Sequence, residues 1–312
     1  MTGLLADPLY KLHIPGPGHP ERPARYDAVL AALDAAGLTT RMPRIPPRAA
    51  AEDELAACHT RKYIDLVKHE AACRYEALST GDTPLGNGSL DTALQAVGGV
   101  LNAVDAVVER RAQNAFCVVR PPGHHANASR GMGFCVFNNV ALAARYAQKK
   151  HGVARILICD WDVHHGNGTQ DIFYSDPSVF FFSTHQWPLY PGTGRANESG
   201  EGDGYGTTMN FPFPAGSGRR EILGAVEQSL MPAMKEFRPE LVLISAGFDS
   251  RVGDLLGQFT LNDDDFADLT ADLMQIADET AGGRIVSVLE GGYSLDGLAT
   301  ASAAHVHRLS AM

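Results

Sequence analysis

Short runs of β-branched and aromatic residues recur along this chain, and stretches long enough to hold a helix separate them. Phe116–Val119, Ile156–Cys159, Val179–Phe182, Leu241–Ser245 and Ile285–Leu289 are nearly continuous in apolar character, as strands covered on both faces are. Between the runs, Leu90–Arg111 repeats Leu94, Val97, Leu101, Val104 and Val108 at three- and four-residue spacings, which turns one helical face to a core. Asn139–Lys149, Arg220–Phe237, Asp264–Thr280 and Ser294–Leu309 read as further helices, with Pro239 and Gly282–Gly283 closing two of them. The alternation predicts an α/β architecture with a mostly parallel central sheet and helices on both faces. No composition shift, charged linker or internal repeat interrupts it, so residues 1–312 are expected to form one domain.

Composition narrows the function classes. A net charge of −10 without a Lys/Arg cluster lacks the electrostatic footprint of phosphate-backbone binding, so direct nucleic-acid contact is not expected. No apolar run is long enough to span a bilayer, and the first residues show no basic segment followed by an apolar one. The cysteines Cys58, Cys73, Cys117, Cys135 and Cys159 are scattered, with no C-x-x-C pair. A reducing cytoplasm is the expected compartment, with self-association left open.

Three Gly/Pro-rich segments, Arg41–Arg48, Gly81–Ser89 and His185–Gly218, are expected to be loops, either functional or disordered; the last holds eight glycines and four prolines. In open α/β sheets, ligands sit beyond the carboxyl ends of the strands. Polar motifs fall at those ends here. Arg-Pro-Pro-Gly-His124-His125 follows the strand ending at Val119, an arrangement that alone suits a solvated turn as well as a site. Ile156–Cys159 runs straight into Asp160-Trp161-Asp162-Val163-His164-His165, and the period of two in extended chain puts Asp160, Asp162 and His164 on one side. Carboxylates there are costly unless a cation or hydrogen bonds compensate them, capping of a helix over Gly168–Tyr174 being the structural alternative. Leu243-Ile244-Ser245-Ala246-Gly247-Phe248-Asp249 delivers another carboxylate. Asp162, His164 and Asp249 leave a fourth position open on a tetrahedral Zn²⁺, as in catalytic sites, and the same donors accept Fe²⁺ or Co²⁺. Glu290-Gly291-Gly292-Tyr293 ends the last strand with a bend that can swing a phenol over the site, or merely pack it.

Taken together, the motifs resemble the zinc-dependent histone deacetylase family, and most of all its class II-like bacterial members, the histone deacetylase-like amidohydrolases. The resemblance rests on residues 19–23 (HPERP), 120–125 (RPPGHH), 133–139 (GFCVFNN), 160–169 (DWDVHHGNGT), 190–194 (YPGTG), 246–250 (AGFDS) and 290–293 (EGGY), in order over about residues 13 to 300. It implies the three-layer αβα arginase/deacetylase fold and removal of acetyl or longer acyl groups from the ε-amino group of lysine or a similar alkylamine. By the same resemblance, one catalytic Zn²⁺ is held by Asp162, His164 and Asp249. His124 and His125 are the paired catalytic histidines, His125 acting as general base and acid, and Tyr293 is the donor to the substrate oxygen. Asp160 orients His124 and, with Ser183 and main-chain carbonyls, helps to hold a structural K⁺. Asn167 pairs with His125 where some members carry Asp, a departure that raises the imidazole pKa less. Gly133 would accept the scissile amide N–H, Phe134 forms one wall of a narrow tunnel, Tyr190 or Leu189 the other, and Leu256 the rim. Polyamine-specific relatives place a glutamate at the rim, so Leu256 favours acylated lysine over acetylated polyamine, although Asp82 lies in a loop that can reach the mouth. An arginase-like ureohydrolase would need a second metal and more bridging aspartates, and a non-catalytic acyl-lysine binding module would need neither the histidine pair nor Tyr293.

Overall fold

A computed structural model describes residues 1–311. Eight strands form one sheet: β1 (Thr2–Leu5), β2 (Arg44–Ile45), β3 (Asn114–Cys117), β4 (Ile156–Asp160), β5 (Val179–Gln186), β6 (Thr208–Phe213), β7 (Leu241–Ala246) and β8 (Ile285–Leu289). Their spatial order is β2-β1-β3-β8-β7-β4-β5-β6, and every pairing within the sheet is parallel. All-parallel sheets need cover on both faces. Helices Ser89–Val108 and Asn139–His151 pack together, while Ala24–Ala35, Asp263–Ile276 and Leu295–Leu309 form a second packed group. This is the three-layer α/β arginase/deacetylase fold.

The expected strands differ from the observed ones by a few residues at most, and Ile285–Leu289 coincides with β8. Three strands were hidden in the sequence. β1 and β2 are too short to show a pattern, and β2 lies inside the segment expected to be a loop, Arg41–Arg48. β6 lies inside the Gly/Pro-rich segment His185–Gly218, whose first two residues also belong to β5. Pro212 is tolerated in β6 because this strand forms the sheet edge and needs no donor on its outer side.

The helix expected over Arg220–Phe237 is present but interrupted. Arg219–Ala225 is α-helical, Val226–Leu230 forms a π turn, and Met231–Phe237 resumes the α-helix with Pro232 in its first turn. Proline has no N–H for the i−4 carbonyl, and the wider turn before it absorbs the missing bond.

The consequence for chemistry lies in the strand order. β3, β8, β7 and β4 are neighbours at the middle of the sheet, and their carboxyl ends lead directly into residues 120–125, 290–293, 246–250 and 160–165. Motifs far apart in sequence are thereby brought to one edge of the sheet.

Candidate active site

β4 ends at Asp160, so the chain leaves the sheet before the residues that matter most. The pairing of Asp162 with His164 is closed locally instead. The His164 backbone N–H donates to Asp162 Oδ1 at 2.9 Å, and the His164 ring places Nδ1 3.0 Å from the same oxygen. Asp162 Oδ2 accepts from the Gly291 N–H at 2.8 Å, and Asp249 Oδ1 from the Val163 N–H at 2.9 Å. These bonds aim Asp162, His164 and Asp249 at a common point, with their ligand atoms all within 4.8 Å of one another. Gly291 is required here, since a Cβ at that position would overlap Asp249 Oδ2.

The group fits a divalent cation. Asp249 Oδ2 is buried without a hydrogen-bond partner, and His164 Nδ1 stands 3.2 Å from it and 3.0 Å from Asp162 Oδ1. Burial and the adjacent Asp162 carboxylate push the Asp249 carboxyl up to about 7. Two carboxylate oxygens and an imidazole nitrogen are a donor set suited to zinc. One other described group, Asp105 with Glu109 and His151, has metal-like spacing, but there Lys150, His151 and the Tyr146 hydroxyl already bond the Asp105 carboxylate.

Beside this point stand the two histidines of residues 120–125, their ring centroids 4.0 Å apart. His124 Nδ1 lies 2.9 Å from Asp160 Oδ2, and His125 Nδ1 lies 2.8 Å from Asn167 Oδ1. Burial opposes charging of His124, yet the Asp160 and Asp162 carboxylates prevail and hold its pKa well above the ordinary histidine value. For His125, burial and then the neighbouring His124 and His164 push the pKa well below that value. The two rings thus face the same point with opposite biases, His124 toward the charged form and His125 toward the neutral one. Asn167 begins the helix Asn167–Phe173, which Gly166 precedes without a side-chain cap; the carboxylates Asp160 and Asp162 point into the site and do not cap it.

Glu290 has a place that its motif did not disclose. Its carboxylate, fully buried, accepts from the Gly123 N–H at 2.6 Å and from the His124 N–H at 3.2 Å, so the end of β8 fixes the histidine loop that follows β3. A second acid, Asp254, accepts from the Tyr293 and Ser294 N–H groups at 2.7 and 3.0 Å and sets the turn that presents the phenol. Only the tertiary fold brings these backbone partners together.

A cavity of about 280 Å³ opens onto the site, lined by Asp82, His125, Gly133, Phe134, His164, Leu189, Tyr190, Leu256 and Tyr293. Phe134 and Tyr293 meet edge to face at 6.0 Å, and Tyr190 meets His125 in the same way at 5.2 Å. Of the two residues expected for the second wall, both line the cavity, and Tyr190 is the one beside the histidine. Its hydroxyl donates to Asp82 Oδ1 at 3.2 Å, and the Gly133 N–H donates to the same oxygen at 2.7 Å. Asp82 thus ties both walls at the mouth. Ser183 sits opposite Asp160 across the β4–β5 pairing, its hydroxyl 3.0 Å from His185 Nδ1.

Comparison with known proteins places the chain in a family. Residues 19–309 match the family model described as the histone deacetylase domain. A probable deacetylase of Archaeoglobus fulgidus is 38% identical over 299 residues, covering 95% of this chain and 82% of that protein. The polyamine deacetylase HDAC10 of Homo sapiens is 43% identical over 296 residues, covering 89% of this chain but 43% of the human protein. Among solved structures, that of the HDA15 HD domain superposes with a TM-score of 0.94 at 36% identity, covering 99% of this chain and 89% of that one.

Proposed function

Since the chain belongs to the histone deacetylase family and is a hydrolase of amide bonds, we propose that it removes acyl groups from the ε-amino group of lysine at a single zinc held by Asp162, His164 and Asp249. The observation that carries this reading is the unpartnered, buried Asp249 Oδ2 beside Asp162 and His164.

A zinc ion held by Asp162, His164 and Asp249 would supply Lewis acidity, acidifying water and polarising the amide carbonyl. The chain's own groups do the proton work. His125, neutral and with Nδ1 turned to Asn167 Oδ1, presents Nε2 to take the proton of the attacking water. His124, oriented by Asp160, contributes positive charge beside the reacting carbonyl. The Tyr293 hydroxyl donates to the oxygen as it gains negative charge, an interaction made chiefly in the transition state. His125 then returns its proton to the departing alkylamine, which leaves poorly unless protonated. Phe134 and Tyr190 flank the methylene chain, and the Gly133 carbonyl accepts the amide N–H. Asp160 and Ser183, with nearby carbonyls, would hold a structural K⁺. We read residues 1–312 as one domain acting in the cytoplasm, where the free thiols of all five cysteines are at home. No helix among the described residues is long and apolar enough to cross a membrane.

Acetylpolyamine hydrolysis is the second reading, and its support is the similarity to the human polyamine deacetylase. Leu256, an uncharged rim residue, supports the first, whereas the Asp82 carboxylate in the same lining offers an ammonium group a counterion and supports the second. An activity panel on metal-loaded protein decides the matter: acetyl-lysine peptide, acetylspermidine and longer acyl-lysine peptides. Turnover of the peptide is expected to exceed that of acetylspermidine; the reverse order selects the polyamine reading, and no turnover of any of them refutes the function.

A further inference from the structure

Glu21 has no part in the chemistry described above, yet it is fully buried in a charged cluster with Arg25 and Arg120. Its carboxylate accepts from Arg120 Nε and Nη2, the latter at 2.6 Å, and from Arg25 Nη1 at 3.1 Å, with His13 Nε2 at 3.4 Å. Arg25 and Arg120 are themselves fully buried. Burial opposes ionisation of Glu21, but the Arg120 guanidinium and His13 overcome it and hold the carboxyl well below the ordinary carboxylate range. The cluster therefore contains two buried guanidinium groups and one carboxylate that faces both.

Each arginine grips a different active-site segment. Arg120 opens the loop that carries His124 and His125, and its remaining donors reach the Tyr10 and His13 carbonyls at 2.9 and 3.1 Å. Arg25 donates from Nε to the Gly292 carbonyl at 2.6 Å and from Nη2 to the Glu290 carbonyl at 2.5 Å, so it holds both sides of the turn before Tyr293. Its guanidinium lies 5.0 Å from the centre of the Tyr293 ring, within cation–π range. Removing the shared carboxylate would leave two cations buried and one of them free to turn away from that loop.

We infer that Glu21 is a positioning residue for the reaction: by fixing Arg25 against the Glu290–Gly292 carbonyls, it sets where the Tyr293 hydroxyl meets the substrate oxygen. The inference rests on the oxyanion role given to Tyr293. Misplacing a catalytic group by about 1 Å costs on the order of 100-fold in rate, so the effect should appear in kcat while KM is little changed.

The test is a double-mutant cycle on zinc-loaded protein with an acetyl-lysine peptide, reading kcat, KM, metal content and thermal midpoint for Glu21→Gln, Tyr293→Phe and the pair. Glu21→Gln is expected to lower kcat by roughly 10- to 100-fold. KM is expected to stay within about threefold, with one metal per chain retained, and the same substitution should cost under about threefold in the Tyr293→Phe background. An unchanged kcat, a loss that follows metal loss, or losses that multiply in the double variant would overturn the inference. Should Glu21→Gln not fold, Arg25→Lys keeps the charge pair and removes the two-carbonyl grip; the same cycle applies with the same overturning outcomes. A Tyr293→Phe variant of wild-type rate would instead refute the proposed mechanism itself.

Discussion

His125 and Asn167 meet through a neutral amide where a carboxylate would fit: Nδ1 of the ring lies 2.8 Å from Asn167 Oδ1. The amide fixes the tautomer without holding the proton.

Substituting Asn167→Asp tests this directly. A carboxylate at that oxygen favours the imidazolium, so the pKa of His125 should rise from its depressed position. The general base must be neutral in the free enzyme, and the acid limb of the kcat/KM profile should therefore move to higher pH by about one unit or more. Profiles that superimpose would show that His125 is not the base.

Tyr293→Phe should lower kcat by roughly 10²- to 10³-fold with little change in KM, as loss of one oxyanion donor does. The phenol's pKa is held well above its ordinary value by burial, so it acts as a donor across the working pH range. Steady-state kinetics with a fluorogenic acetyl-lysine peptide measures it.

Leu256 lines the cavity and is uncharged, so Leu256→Glu should raise the preference for acetylspermidine over acetyl-lysine peptide. A gain of about tenfold, equivalent to about 1.4 kcal/mol, is the expected size for one new attraction at a partly wet rim. A ratio of kcat/KM values unmoved by the substitution would place the rim elsewhere.

Acid should destabilise the fold through histidines buried in neutral form. Burial lowers His305 to about 3, and His59 and His185 to about 4. Each folded pKa lies below the unfolded value of about 6.5. Their contribution is full above that pH and is lost as pH falls toward 4, because only the unfolded chain takes up the protons. His305 bonds Thr270 Oγ1 at 2.6 Å through Nδ1 and Ser287 Oγ at 2.8 Å through Nε2, so its neutral ring is satisfied at both nitrogens. The thermal midpoint of His305→Gln should be lower than wild type at pH 7.5 and should fall less steeply between pH 7 and 4; parallel curves would refute the assignment.

Much of this could be read from residue order because the decisive signals are local. An apolar run that ends in Asp160-Trp161-Asp162-Val163-His164 announces a strand and a cation site within ten residues, and the Gly282–Gly283 pair and Glu290 bracket β8 closely. What escaped depends on partners remote in sequence. The helix Ala24–Ala35 buries Arg25 beside Tyr26, Val29 and Leu33, so its inward face carries no clean apolar stripe. β6 reads as loop because Pro212 and four half-buried positions hide its pattern. Glu21 looks like a surface acid until Arg120, 99 positions away, is brought against it. The same holds for Glu290 and Asp254, which accept from backbone N–H groups of remote segments.

The hydrolytic groups descend from four adjoining strands at the middle of the sheet, whereas Asp82, Phe134, Leu189, Tyr190 and Leu256 hang on loops around the opening. Hydrolysis and selectivity are thus written on different parts of the scaffold. Descendants of this chain can exchange what they accept by altering the loops alone, while the bond-breaking apparatus is inherited unchanged.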